Sequence, residues 1–191
     1  MARRKDHTRE ELAELAIEAG RTLVAEKGPD ALTARNVARA IGYTPGTLYN
    51  IFENIDALAA AINIASMQAF ADQLRQTQQR CDDTHAKIRG IAQAYLDFHK
   101  NEPHLWSLLF AVRVDHHSEA YHDAIHAIFD QVIEAMQPLS KSPTLARRKA
   151  KVLWSTLHGI CLLQQSGKLN VQENDSTQEL VDEFLQQFLQ L

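Results

Sequence analysis

The stretch TARNVARAIGYTPGTLYNIF, residues Thr33 to Phe52, decides how this chain is read. It is helical in its residue types, yet it carries Gly42, Pro45 and Gly46. Thr33 is placed to cap a helix whose inner face is Val37, Ala38 and Ile41. Gly42 ends that helix, because glycine accepts the backbone conformation that a tight exit requires. The chain restarts at once. Thr44 is a second capping residue, and Pro45 falls at the first helical position, where its missing N–H costs nothing. Two helices of about two turns, joined by Ile41-Gly42-Tyr43, have the dimensions of a helix-turn-helix, whose second helix lies in the DNA major groove. On these residues alone, a plain two-helix corner inside an all-α core fits equally well.

Outward from this stretch, helix signals are dense and alternating strand patterns are absent. A first helix begins at Thr8 with Glu11 three residues on, a capping-box pattern, and its apolar stripe is Leu12, Leu15, Ala16, Ala19 and Leu23. Gly28-Pro29 stops it. Asn54 caps a long fourth helix that runs towards Arg80, with Asp56 near its positive end, and the run CDDT breaks it. Further helices are expected from Thr84 to Lys100, from Pro103 to Val112, from Ser118 to before Pro138, from Ser142-Pro143 to about Gly167, and from Ser176 onward. The expectation is an all-α fold of about nine helices. A three-helix head spans residues 1–53, and a ligand-binding and dimerisation bundle spans residues 54–191.

The 191 residues suit one large domain or two small ones, and a hydrophobic share of 45% provides for a real core. No apolar run approaches the ~20 residues that a membrane helix needs. The opening MARRKDHTREE is basic and lacks the apolar region of a signal peptide. Cys81 and Cys161 form neither a disulfide framework nor a metal-ligand spacing. A cytoplasmic protein with no membrane partner is therefore expected. The net charge of −4 argues against a generally basic surface, but its distribution is uneven. Up to Phe52 there are eight Lys and Arg against seven Asp and Glu; the rest has twelve against seventeen. This permits an anion-binding head on an acidic body.

In the helix-turn-helix reading, Thr44, Pro45, Gly46 and Thr47 form the first turn of the reading helix. Thr44 and Thr47 present hydroxyls and methyls to base edges or phosphates, and Gly46 allows close approach. Thr33, Arg35, Tyr49 and Asn50 are candidate phosphate donors, with Arg39 a further one. The longer stretch TARNVARAIGYTPGTLYNIFENIDAL resembles the DNA-binding signature of the tetracycline-repressor (TetR) family. Thr33, Val37, Ala38, Gly42, Tyr43, Thr44, Leu48, Tyr49, Phe52 and Leu58 match its pattern. The upstream AELAIEAGRTLVAEKGPDALT is similar to the family's first helix and its glycine-containing link. One departure is Ile55, where the family often has a lysine that touches a phosphate; Arg3, Arg4 and Lys5 are placed to compensate. Trp154, His158 and Gly159 resemble the W-x-x-x-H-G signature of one C-terminal domain class in the same family, and NEPHLWSLLF resembles a stretch seen before it.

The resemblance implies a dimer through the last two helices, presenting two reading helices to a pseudo-palindromic DNA operator. The wide stripe Leu180, Val181, Phe184, Leu185, Phe188 and Leu189 is the candidate interface, core packing within one subunit being the other reading. Phe70, Phe98, Trp106, Phe110, Trp154 and His158 are candidate contacts for a small, hydrophobic effector, and each also suits a core position. The function expected is a ligand-responsive DNA-binding transcriptional regulator, a repressor released by its effector. No cofactor is expected. No catalytic order of residues and no phosphate-cradling loop is recognisable, so no enzyme activity is expected. The alternative is a helical metal-binding or enzymatic protein using His116, His117, His122 and His126. Of these, His122 and His126 share a helix face at i, i+4, but no H-E-x-x-H is present, and the chain is assigned no metal site.

Overall fold

The structure is a computed structural model that describes residues 7–111, 118–169 and 175–190. Among these residues there are nine α-helices and no strand. They are α1 (Arg9–Lys27), α2 (Ala34–Ile41), α3 (Pro45–Tyr49), α4 (Ile55–Gln79) and α5 (Thr84–Asn101). Then come α6 (Pro103–Ala111), α7 (Glu119–Met136), α8 (Pro143–Gln165) and α9 (Thr177–Leu189). No helix among the described residues is long and apolar enough to cross a membrane.

The helix starts follow from local hydrogen bonding. Thr8 and Glu11 cap α1 reciprocally, as do Ser176 and Glu179 at α9. The side chains of Thr33, Asn54, Ser118 and Ser142 accept from backbone N–H groups at the starts of α2, α4, α7 and α8. At α5 the capping side chain is Asp83, which accepts from the Ala86 N–H at 2.8 Å. Thr44 occupies the cap position of α3 in extended conformation, but its hydroxyl makes no capping bond. It faces the Thr47 hydroxyl instead, 3.2 Å away.

The chain divides into two compact units. The first comprises Met1–Met67 with Glu102–His122, and the second Gln68–Asn101 with Asp123–Leu191. Both boundaries within helices, in α4 after Met67 and in α7 after His122, leave the helix itself uninterrupted.

In the first unit, α1 packs on α2 and α6. Its buried line is Ala16, Gly20 and Val24, with Leu12, Ala19 and Leu23 half-buried. This corrects the expected stripe: Leu15 is 39% exposed. Gly20 sets the line, because a Cβ there would sit 2.7 Å from Ile62 Cδ1 and 3.2 Å from Leu32 Cδ1. Close approach at Gly20 rotates α1 away from the face that side-chain hydrophobicity alone selects. The α6 helix is tied to α1 by polar contacts. Arg21 Nη2 lies 3.4 Å from Glu102 Oε1, and the His104 ring nitrogen Nδ1 lies 3.0 Å from the Ala25 carbonyl oxygen. In the second unit, α5, α8 and α9 pack together over Ile88, Leu153, Leu157, Cys161, Val181 and Leu185.

Candidate functional site

Helices α2 and α3 and their turn form a rigid corner. Val37, Ala38 and Leu48 are buried, and they are the buried residues of the two helices. The turn is closed by two hydrogen bonds: the Tyr43 N–H to the Ala38 carbonyl at 2.8 Å and the Gly42 N–H to the Arg39 carbonyl at 3.3 Å. That is the 6→1 and 5→2 pattern of a helix end whose exit residue is left-handed, and Gly42 has φ +78°. Two additional ties hold the start of α1 at this corner. The His7 Nδ1 lies 2.8 Å from the Tyr43 hydroxyl, and the Arg9 guanidinium donates to the Ile51 carbonyl at 3.5 Å.

With Leu48 as its anchor, α3 turns the rest of its surface outward. Thr44, Pro45, Gly46, Tyr49 and Asn50 are exposed and Thr47 is half-exposed. Tyr49 is 56% exposed, high for so large a ring. Thr33, Arg35 and Arg39 are exposed on α2 and its cap, although the Thr33 hydroxyl already accepts from the Asn36 N–H. Between Thr33 and Phe52 the chain carries two arginines and no Asp or Glu. A Cβ on Gly46 would meet only the Thr44 hydroxyl, at 3.7 Å, so nothing within the chain requires a glycine there.

The candidate effector residues fall in both units. Trp106 and Phe110 pair in the first, with ring centroids 5.0 Å apart; Trp106 is buried and Phe110 exposed. In the second, four of them join one run of ring contacts through Tyr95. Phe98 stacks on Phe70 at 5.4 Å, and Phe70 meets Tyr95 edge-on at 6.3 Å. The Tyr95 hydroxyl lies 3.0 Å from His158 Nδ1, and His158 stacks on Trp154 at 5.8 Å with an interplanar angle of 22°. Phe129 meets the other side of the run, edge-on to Trp154 at 5.7 Å. Burial pushes the His158 imidazole below its ordinary pKa, and the neighbouring His99 pushes it the same way. His99 is itself lowered by burial. Both are therefore neutral hydrogen-bonding groups at pH 7.

The α8 and α9 surfaces carry large apolar side chains among polar ones where they face solvent. Val152, Leu162 and Leu163 on α8 are exposed. The α9 stripe is divided: Val181 and Leu185 are buried within the chain, whereas Leu180, Phe184, Phe188 and Leu189 are half-exposed. The Phe184 and Phe188 rings stack at 5.0 Å, and the Lys149 ammonium lies 5.9 Å from the Phe188 ring centre. Cys161 is buried, and burial raises its thiol pKa to about 11, which leaves it unreactive.

The family model described as "Bacterial regulatory proteins, tetR family" matches residues 16–62, and that described as "Tetracyclin repressor-like, C-terminal domain" matches residues 88–188. The second alone spans more than half of the chain. The protein belongs to the TetR family of bacterial transcriptional regulators. Solved structures share its fold at low sequence identity. A protein of unknown function from Rhodococcus sp. RHA1 matches with TM-score 0.80 and 21% identity, over 98% of this chain and 97% of that one. The fatty acid degradation regulator FadR from Bacillus halodurans matches with TM-score 0.69 and 16% identity, over 93% and 94%. AibR, solved in complex with isovaleryl coenzyme A and operator DNA, matches with TM-score 0.62 and 15% identity, over 93% and 97%.

Within this TetR-family head, Thr44, Pro45, Gly46, Thr47, Tyr49 and Asn50 share one exposed helix and its cap, and Thr33 and Arg35 stand on the preceding one. Sequence reasoning did not single out His7 and Arg9 as ties to the corner, because they act over 36 and 42 residues. It also passed over His99. The spacing Tyr95 to His99 on α5 is a signal that would have found it, since i, i+4 side chains share a helix face. The histidine-rich stretch holds no metal cluster among the described residues. His122 and His126 are exposed on α7, and His116 and His117 lie outside the described residues.

Proposed function

We propose that this TetR-family regulator is a repressor that binds a pseudo-palindromic operator as a two-fold dimer and is released by a small effector. The observation that carries the proposal is α3. It is a five-residue helix held by one buried leucine, with Thr44, Gly46, Thr47, Tyr49 and Asn50 turned outward and no Asp or Glu between Thr33 and Phe52. Such a helix contributes little to its own unit's core; its surface suits a duplex. Thr44, Pro45, Gly46, Thr47 and Asn50 meet the major groove, and Thr33, Arg35 and Tyr49 meet phosphates. The exposed apolar residues of α8 and the half-open side of α9 form the dimer interface, since a symmetric four-helix contact covers both. The boundaries 1–53 for the DNA-binding domain and 54–191 for the ligand-binding and dimerisation domain describe this division of labour. The protein is a cytoplasmic regulator with no enzymatic step.

Phe70, Phe98, Trp154 and His158 are the effector contacts that the second unit offers, and Trp106 and Phe110 those that the first unit offers. AibR, a relative in fold, was solved with both an acyl coenzyme A and its operator, which supports a reading in which one chain serves both ligands. The effector lowers operator affinity only by its differential affinity for the two conformations of the dimer. The test is anisotropy with palindromic duplexes from the DNA flanking the gene, against scrambled duplexes, at two salt concentrations. Selective binding weakened by Thr47→Ala and Tyr49→Phe is expected. Equal affinity for palindromic and scrambled duplexes, and for any genomic fragment selected with the protein, would overturn the reading.

A further inference from the structure

Two polar side chains are buried among the described residues, Asn63 at 1% and Ser66 at 3% exposure. They lie three positions apart on α4, hence on one face of the helix and in the first unit. The Asn63 amide nitrogen donates to the Leu108 carbonyl of α6 at 3.2 Å. That bond fixes which way the amide points and leaves the Asn63 Oδ1 oxygen without a partner. The Ser66 hydroxyl is also buried without a partner.

The Ser66 case is unusual for this chain. A helical serine or threonine can donate to the carbonyl four residues back in a suitable rotamer. Thr77 and Ser107 do so here, to Gln73 and Pro103, at 2.9 and 2.8 Å. Ser66 does not take that bond. Buried polar atoms left unmet point to a missing partner, because the great majority of such atoms in folded proteins are bonded.

We propose that Asn63 and Ser66 are the recognition pair for a hydroxyl group of the effector. The complementarity is specific. Asn63 Oδ1 only accepts, so the missing group must donate to it, and Ser66 Oγ–H has a proton to give, so a group that also accepts satisfies both atoms. An alcohol or phenol does both; a methyl does neither, and a halide has no proton to donate. Side chains three apart on a helix stand about 5–6 Å apart at Cβ, and one oxygen about 2.8 Å from each acceptor and donor bridges such a gap. A carboxylate would face the Asn63 oxygen with no proton to offer. The pair sits on the helix that follows α3 and is bonded to α6, so its occupancy is set within the unit that carries the reading helix. The inference rests on the reading of the chain as an effector-responsive regulator. A water molecule offers the same hydroxyl chemistry, and the test separates the two sources.

The experiment compares isosteric pairs, phenol against toluene and cyclohexanol against methylcyclohexane, on the full chain with both tryptophans in place. The readouts are tryptophan fluorescence and the melting midpoint. At least one alcohol is expected to bind roughly tenfold tighter than its methyl counterpart, the size of penalty that an unmet buried polar group imposes. Ser66→Ala is expected to remove that preference by weakening the alcohol alone. Ser107→Ala, the same change at a serine that bonds back to its own helix, is expected to leave it intact. If neither alcohol outbinds its counterpart, the pair holds only water and the proposal fails. It fails equally if the preference survives Ser66→Ala. Operator binding is measured on the same samples, so its failure would sink the regulator reading while the alcohol preference is judged separately.

Discussion

Replacing Leu48 by alanine should detach the reading helix while leaving most of the protein folded. Leu48 is 2% exposed and is the buried residue of α3, which is five residues long. An isolated helix needs about 12–15 residues to be even marginally stable in water, so α3 is held by packing and not by its own propensity. Leucine-to-alanine changes in cores cost about 2–5 kcal/mol. The lower part, about 2–3 kcal/mol, is expected here because the short helix can settle into part of the cavity. Spent on the seating of α3, that cost lowers the ratio of seated to unseated helix by about 30–150-fold, at 1.4 kcal/mol per tenfold. Operator affinity should fall as the seated fraction falls, by up to that factor per half-site, since both half-sites need a seated helix. The assay pairs urea unfolding at fixed protomer concentration with anisotropy on the selected operator. Thr47→Ala, on the same helix but half-exposed, is the companion. It should shift stability by less than about 0.5 kcal/mol and still weaken the operator complex. The reasoning is refuted if Leu48→Ala unfolds within about 0.5 kcal/mol of wild type and binds the operator undiminished.

Three other outcomes follow from the same geometry. Arg35→Ala should flatten the salt dependence of operator binding, because one phosphate contact per subunit is two per dimer and each contributes about 0.9 to the slope, about 1.8 in all; an unchanged slope places Arg35 off the backbone. Gly42→Ala should destabilise by about 1–2 kcal/mol, purely from the left-handed backbone at φ +78°, since nothing lies within 4 Å of the added Cβ; a stability equal to wild type in denaturant unfolding would count against it. His158 and His99 are both held below their ordinary pKa by burial, so the unfolded chain binds more protons than the folded one just below the unfolded value of 6.5. Stability should therefore fall as pH drops through that value and level off below the folded pKa values, and His158→Asn should lessen the drop in melting midpoint between about pH 8 and about pH 5.5.

The positions of the helices were legible in the sequence because their signals are local. A capping hydroxyl and the N–H it satisfies are three residues apart, and Gly42 ends α2 through its own backbone freedom. Thr8 with Glu11, Thr33, Asn54, Ser118, Ser142 and Ser176 announce six helix starts in this way. The helix-turn-helix was legible for the same reason: two caps, one left-handed glycine and one buried anchor lie within twenty residues of chain. Even so, local chemistry left one choice open at Thr44. Its hydroxyl can cap α3 or face Thr47, and it faces Thr47.

Which face of each helix is buried, and beside what, was decided only by the tertiary structure. The α1 stripe drawn through Leu15 gives way to a line through Gly20, because Ile62, 42 positions later in the chain, comes close enough to forbid a side chain there. The Asn63 amide is oriented by α6, whose Leu108 carbonyl is 45 residues away. His158 and Tyr95 meet across 63 residues, and His99 acts on His158 from the same helix as Tyr95. Periodicity reports how apolar a face is. It does not report how close a neighbour can come or which polar atom that neighbour leaves unmet, because those depend on packing between segments that the sequence holds far apart.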